Sequence, residues 1–176
     1  MSTHAASRFS SLLAFVRSHA HALALSIGYL VWLFVTARTL GFCRDESFYF
    51  DAGAGYARWV DLLWDKPKVA LEQHMVDQSF SYNHEHPSLM KLLFGISELV
   101  LVEKKHLPID KTTAFRLPGM VFAAMGVWCT YLLGTKRFGR RAGLYAAAAL
   151  AFSFFGLTRI GLLLATGARP RKLAMP

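Results

Sequence analysis

Asp45 and Glu46 stand side by side in "GFCRDESFYFDAGAGY", residues 41–56, just past a long apolar stretch and ahead of a run of aromatics. A carboxylate close to cations stays ionised yet can take a proton from an incoming hydroxyl, so an acid in such company suits general-base work. The chain offers cations and imidazoles for that company: His84 and His86 in "NHEHP", Arg116 at the entry to one apolar stretch, and Arg159 at the exit of another. Arginine meets phosphate oxygens with two parallel N–H donors, so the phosphate of a substrate is the matching chemistry. Each residue also has a plainer use. The acids fit a helix N-cap and first turn, "NHEHP" fits a polar turn before a proline-led helix, and the arginines fit interface anchors. Asp45, His84, Glu85 and His86 are also the residue types that hold a divalent metal, although two histidines at spacing two specify little. The case for chemistry rests on whether these groups reach one level.

Charge distribution supplies that level. The 176 residues are 54% hydrophobic and 18% charged, more apolar than an ordinary soluble domain. All eleven Asp and Glu fall between Gly41 and Arg116, with nine of the twenty Lys and Arg; the remainder of the chain is purely basic. Such a split is produced by the two sides of a membrane, because Lys and Arg are retained in the cytoplasm. The acidic segment therefore reads as extracytoplasmic. Nucleic acid is not the implied partner of the net +9 charge, since the basic residues form no stripe interleaved with stacking aromatics. "GAGYAR" lacks the third glycine of a dinucleotide turn, and no phosphate-cradling lysine motif is present.

Three apolar stretches, the third uncharged as far as Arg159, can cross roughly 30 Å of hydrocarbon. Residues 18–37 make the first span after a cytoplasmic segment, residues 1–17. A cleaved secretory leader would share the basic front end, but this stretch is long for a leader core and two more follow. Residues 117–135 make the second, and "KRFGRR", residues 136–141, a tight basic cytoplasmic turn. Span three covers residues 142–165, and its run "AGLYAAAALA" suits close helix packing. Residues 166–176 form an atypical basic tail. Cys43 reads as lying at the outer surface and Cys129 about 18 Å into span two, too far apart for a disulfide.

The loop between spans one and two, residues 38–116, is too long for a mere connector. Two amphipathic helices are predicted in it. In the first, Tyr49, Ala52, Tyr56, Trp59, Val60 and Leu63 recur at helical spacing, as in a helix lying in the interface plane. The second begins at Pro87 and aligns Leu89, Leu92, Leu93, Ile96, Leu99 and Val100, either on the protein's own core or on the membrane surface. Residues 65–86 between them read as irregular.

"RDESFYFDAGAGY", "NHEHPSLMKLLFGIS", "FRLPGMVFAAMGVWCTYLLGTKRFGRRAGLYAAAALAFS" and the following "TRI" resemble, in order and spacing over roughly residues 22–163, the start of the membrane-embedded GT-C glycosyltransferases. The nearest likeness is to the dolichyl-phosphate-mannose protein mannosyltransferases and the bacterial aminoarabinose transferase group. The resemblance implies a fragment of a larger all-α bundle, with a polyprenyl-phosphate sugar as donor and a protein or lipid as acceptor. Transfer would take place on the extracytoplasmic face of a plasma, bacterial inner or ER membrane. It implies Asp45 as base or metal-associated carboxylate with Glu46 beside it, and His86, Lys91, Arg116 and Arg159 at the donor phosphate. Two departures stand out. Ser88 follows His86 and Pro87 where many members have a second proline, and no acid follows Arg159. Arg169, Arg171 and Lys172 would put positive charge outside, against the orientation rule, so the ending reads as truncated or frame-shifted and the chain alone as inactive and of low stability. The alternative is a non-enzymatic three-span subunit or scaffold whose outer loop binds a partner or metal. A transporter is disfavoured because no span carries an ionisable residue near its middle.

Overall fold

A computed structural model of the chain describes residue 10 and residues 13–39 and 44–167, with side chains described for residues 10, 13–39 and 46–153. Every regular element among the described residues is helical. In chain order they are α1 (Ala20–Ala37), α2 (Arg44–Asp65), α3 (Pro67–Ala70), α4 (Gln73–Phe80), α5 (Ser88–Glu98) with a π-helical extension Leu99–Lys104, α6 (Lys111–Phe138) and α7 (Arg140–Gly167). A helical segment at 13–18 precedes α1, separated from it by a turn at His19. The chain divides into two compact units, residues 1–29 with 124–176 and residues 30–123.

Two helices, α1 and α6, are long and apolar enough to cross a membrane, and only 22% of the most apolar stretch of each is buried, unlike the core helices of a soluble domain. Ile27, Val31 and Val35 form one exposed ridge on α1, at successive turns. Such a ridge calls for lipid or another apolar partner. The sequence places span two at 117–135; α6 begins six residues earlier, at Lys111, and carries Pro118 inside it. An interior proline normally breaks a helix because it has no N–H for the carbonyl four residues back. Here that carbonyl belongs to Ala114, and the Ser97 hydroxyl donates to it at 2.7 Å. The proline is tolerated because a neighbouring helix satisfies the orphan.

In the first unit the described part of α7 follows α6 after one residue, Gly139, whose φ of +88° lies in the left-handed region that glycine enters without strain. The predicted basic turn is therefore this reversal. Gly134 and Gly143 meet across it; a Cβ on Gly134 would sit 2.7 Å from the Gly143 Cα. Within a turn of Gly134, the Tyr131 hydroxyl and His19 Nδ1 share a hydrogen bond at 2.7 Å, with Trp128 edge-on to the imidazole and Phe15 tilted against it. Cys129 is an exposed free thiol, and Cys43 lies outside the described residues.

The second unit is built around α2. Its predicted apolar face does not lie open as an interfacial helix would. Tyr56 is fully buried beneath a stacked Phe80 at 4.5 Å, and the Trp59 indole N–H donates to the Ala70 carbonyl at 2.9 Å, so α3 and α4 cover it. The stretch read as irregular is thus largely two short helices held by these aromatics. A second side of α2, carrying Phe50, Gly53 and Ala57, is also buried, Phe50 stacking on Phe115 at 4.4 Å.

Against α2 packs α5, and it does so with its polar side. Lys91, Gly95 and Glu98 are buried, while Leu89 of the leucine row is 65% exposed and, of that row, only Leu99 is buried. The reason is close contact between Gly53 and Gly95. A Cβ on Gly53 would lie 2.6 Å from the Lys91 carbonyl oxygen, and one on Gly95 would collide with the Gly53 carbonyl. No leucine fits that crossing. Gly95→Ala is therefore expected to destabilise the protein by about 1–3 kcal/mol, the usual cost of an extra methyl in a close contact. Gly28→Ala, which has open space around it, is the control. Thermal unfolding of both variants in lipid nanodiscs checks the contrast.

Candidate functional site

Arg116 sits in the second turn of α6, inside the helix rather than at the start of a span, and its side chain is 14% exposed. Its Nε and Nη2 donate to the two oxygens of Glu46 at 2.5 and 2.6 Å, a bidentate pair, while Nη1 donates to the Ala37 carbonyl at 2.9 Å. That carbonyl belongs to the last residue of α1, where the helix leaves acceptors unpaired and the dipole favours a cation. One guanidinium thus joins the end of α1, the first turn of α2 and the body of α6. A second tie lies close by. Asp110 caps α6, its Oδ1 accepting the Thr113 amide at 2.8 Å and its Oδ2 the Thr113 hydroxyl at 2.7 Å, and Arg38 Nε stands 3.5 Å from Oδ2.

Asp45 precedes Glu46 in the first turn of α2; its side chain lies outside the described residues, as does that of Arg159 on α7. Helical spacing puts Phe48 and Tyr49 on the face of α2 that Asp45 occupies. The Tyr49 ring packs 5.6 Å from His86, which brings the "NHEHP" turn to that face. His84 instead donates its Nδ1–H to the Ser81 carbonyl at 3.0 Å and stands 3.8 Å from Glu85. Among the described residues no group of three His, Cys, Asp or Glu is placed to hold a metal ion.

Lys91 does not lie at an exposed phosphate level. It is 1% exposed, its ammonium donating to the Asn83 carbonyl and lying 5.3 Å from the centre of the Tyr56 ring. Asn83 adopts φ +54°, a conformation asparagine tolerates better than most residues, and the turn passes over the lysine. Sequence reasoning also did not bring out the cleft of about 540 Å³ lined by Phe48, Tyr49, Tyr82, Asn83, Glu85 and His86. Its only local signal was the density of aromatics after the acidic pair. A smaller recess of about 90 Å³ holds the buried Glu98, 3.2 Å from Lys111 Nζ without the angle of a hydrogen bond. Comparison with protein-family models, curated proteins and solved structures gives no match, so the site is read from its own geometry.

Two outcomes follow. Removing either partner of the largely buried Arg116–Glu46 pair is expected to cost about 3–5 kcal/mol, and the double variant Glu46→Ala, Arg116→Ala less than the sum, in a double-mutant cycle of unfolding midpoints. For Asp110, burial alone would raise the carboxyl, but hydrogen bonds from Thr113 and the nearby Arg38 outweigh it and hold the group below the ordinary carboxylate range. Its contribution is therefore complete above the unfolded value, near pH 4, and is lost as pH falls through the lowered native value. Asp110→Asn, which still caps, should flatten that acid limb of an unfolding titration.

Proposed function

We propose that this chain is the amino-terminal part of a glycosyltransferase that takes a sugar from a polyprenyl-phosphate carrier on the extracytoplasmic face of a membrane. In this reading α1, α6 and α7 are the three spans, the N-terminus is cytoplasmic, and residues 41–116 face outward. The observation that supports it most is the bidentate hold of Arg116 on Glu46. It neutralises one member of the acidic pair and fixes the first turn of α2, so the adjacent Asp45 has a defined station at the end of α1.

Asp45 then acts as general base. It accepts the proton of the acceptor hydroxyl as that oxygen bonds to the anomeric carbon; the bond from that carbon to the phosphate oxygen breaks, and its electron pair leaves with the polyprenyl phosphate. Positive groups nearby stabilise the departing charge. Because Arg116 is committed to Glu46 and Ala37, its part is to position the acids, and Arg159 is the remaining candidate for the phosphate.

Introduced into a full-length relative in nanodiscs supplied with a polyprenyl-phosphate sugar and a hydroxyl acceptor, Asp45→Asn is expected to abolish transfer while insertion is unchanged. Full transfer by that variant removes the base assignment. Normal assembly of this chain with both carboxylates removed, and partner binding that depends on "NHEHP", returns the scaffold reading.

A further inference from the structure

The cleft beside the acidic pair has a chemistry of its own. One wall is α2, through Phe48 and Tyr49; the other is the turn after α4, through Tyr82, Asn83, Glu85 and His86. Phe48 and Tyr82 face each other with ring centres 6.5 Å apart and planes within 30°, yet stay 48% and 45% exposed. Aromatic faces left in water beside an amide, a carboxylate and an imidazole combine apolar platforms with a few directional polar groups, which is how ligand sites are built. The walls are braced: the Tyr56 hydroxyl donates to the Tyr82 carbonyl at 3.4 Å, and Lys91 donates to that of Asn83. A pre-formed site loses little entropy on binding.

The lining excludes some ligands. Among the described residues its lining holds no Lys or Arg, and their one formal charge is the negative Glu85, so a phosphate finds no partner among them. An aromatic box with a carboxylate would also suit an organic ammonium, but the buried Lys91 ammonium lies directly behind the Asn83 wall and opposes a second cation. A neutral ligand with apolar C–H faces and a rim of hydroxyls fits what remains.

We propose that this cleft is a carbohydrate-binding site, with Phe48 and Tyr82 stacking on the faces of a pyranose and Asn83, Glu85 and His86 meeting its hydroxyls. Assigning that sugar to the transfer reaction rests on the reading above; the carbohydrate chemistry of the cleft does not. The site lies on the face of α2 shared with Asp45, so it would hold either the donor's sugar or a sugar on the acceptor.

The test is saturation-transfer NMR on the full chain in nanodiscs, free of glycoside detergents, with a panel of methyl pyranosides, inorganic phosphate and tetramethylammonium. Binding of at least one pyranoside is expected, weakened about tenfold by Phe48→Ala and by Tyr82→Ala, the loss of one aromatic contact. Phe48→Tyr, which keeps the ring, should bind as the unaltered chain does. Both truncated side chains are half exposed, so folding survives. Displacement of the pyranoside by a short-chain prenyl-phosphate glycoside identifies the donor's sugar, and failure to displace it identifies the acceptor's. Failure of every pyranoside to bind, binding indifferent to both alanines, or loss of only phosphate or tetramethylammonium binding overturns the proposal. If pyranosides fail while Asp45-dependent transfer persists in the full-length relative, the cleft assignment alone falls; if they bind while Asp45→Asn leaves that transfer intact, the enzyme reading alone falls.

Discussion

The second unit depends on one guanidinium. Arg116 is mostly out of water, and a desolvated cation with five donors must find acceptors or destabilise the fold. It finds two kinds at once: a carboxylate matched to its planar fork and the unpaired carbonyl ending α1. A lysine has the charge but not the fork, so it could not serve both partners in these directions. Because the three partners come from three helices, the pair sets where α2 begins relative to α1 and α6.

From that junction the rest of the unit follows by contact. With its first turn fixed, α2 runs past Phe115 through Phe50 and then meets α5 where Gly53 and Gly95 allow the backbones to touch. The crossing turns α5 with Lys91 and Glu98 inward and leaves Leu89 exposed and Leu92 and Leu93 half-buried, unlike an ordinary amphipathic helix in water. The buried lysine is then used: it holds the Asn83 carbonyl and so the turn that faces Phe48 and Tyr49. A packing constraint between two glycines thus shapes a cleft several residues away.

Local features of this structure were legible in the sequence and the long-range ones were not. The uncharged run 18–37 closely anticipates α1, since charge fixes where a helix can enter hydrocarbon. Gly139 in its basic turn is where a helix reversal was expected. The uncharged run 117–135 marks a span and not the whole helix, which starts at Lys111; "DKTT", with Asp110 three residues ahead of Thr113, carries the cap that marks that start. The short helices α3 and α4 escaped periodicity because their order comes from Phe80 packing on Tyr56 and Trp59. Pairing of Glu46 with Arg116 joins residues 70 apart, and no local spacing encodes it. Charge distribution along the chain puts the acids and the arginine at one level; that two of them neutralise each other is visible only in the fold.

Hydrogen–deuterium exchange on Arg116→Ala in nanodiscs tests the central claim most directly. If the guanidinium holds the junction, amides in the last turn of α1 and at residues 46–50 of α2 lose protection together, while those of the α6–α7 reversal keep theirs. Unchanged protection at both helix ends, or a uniform loss across the chain, would contradict the account.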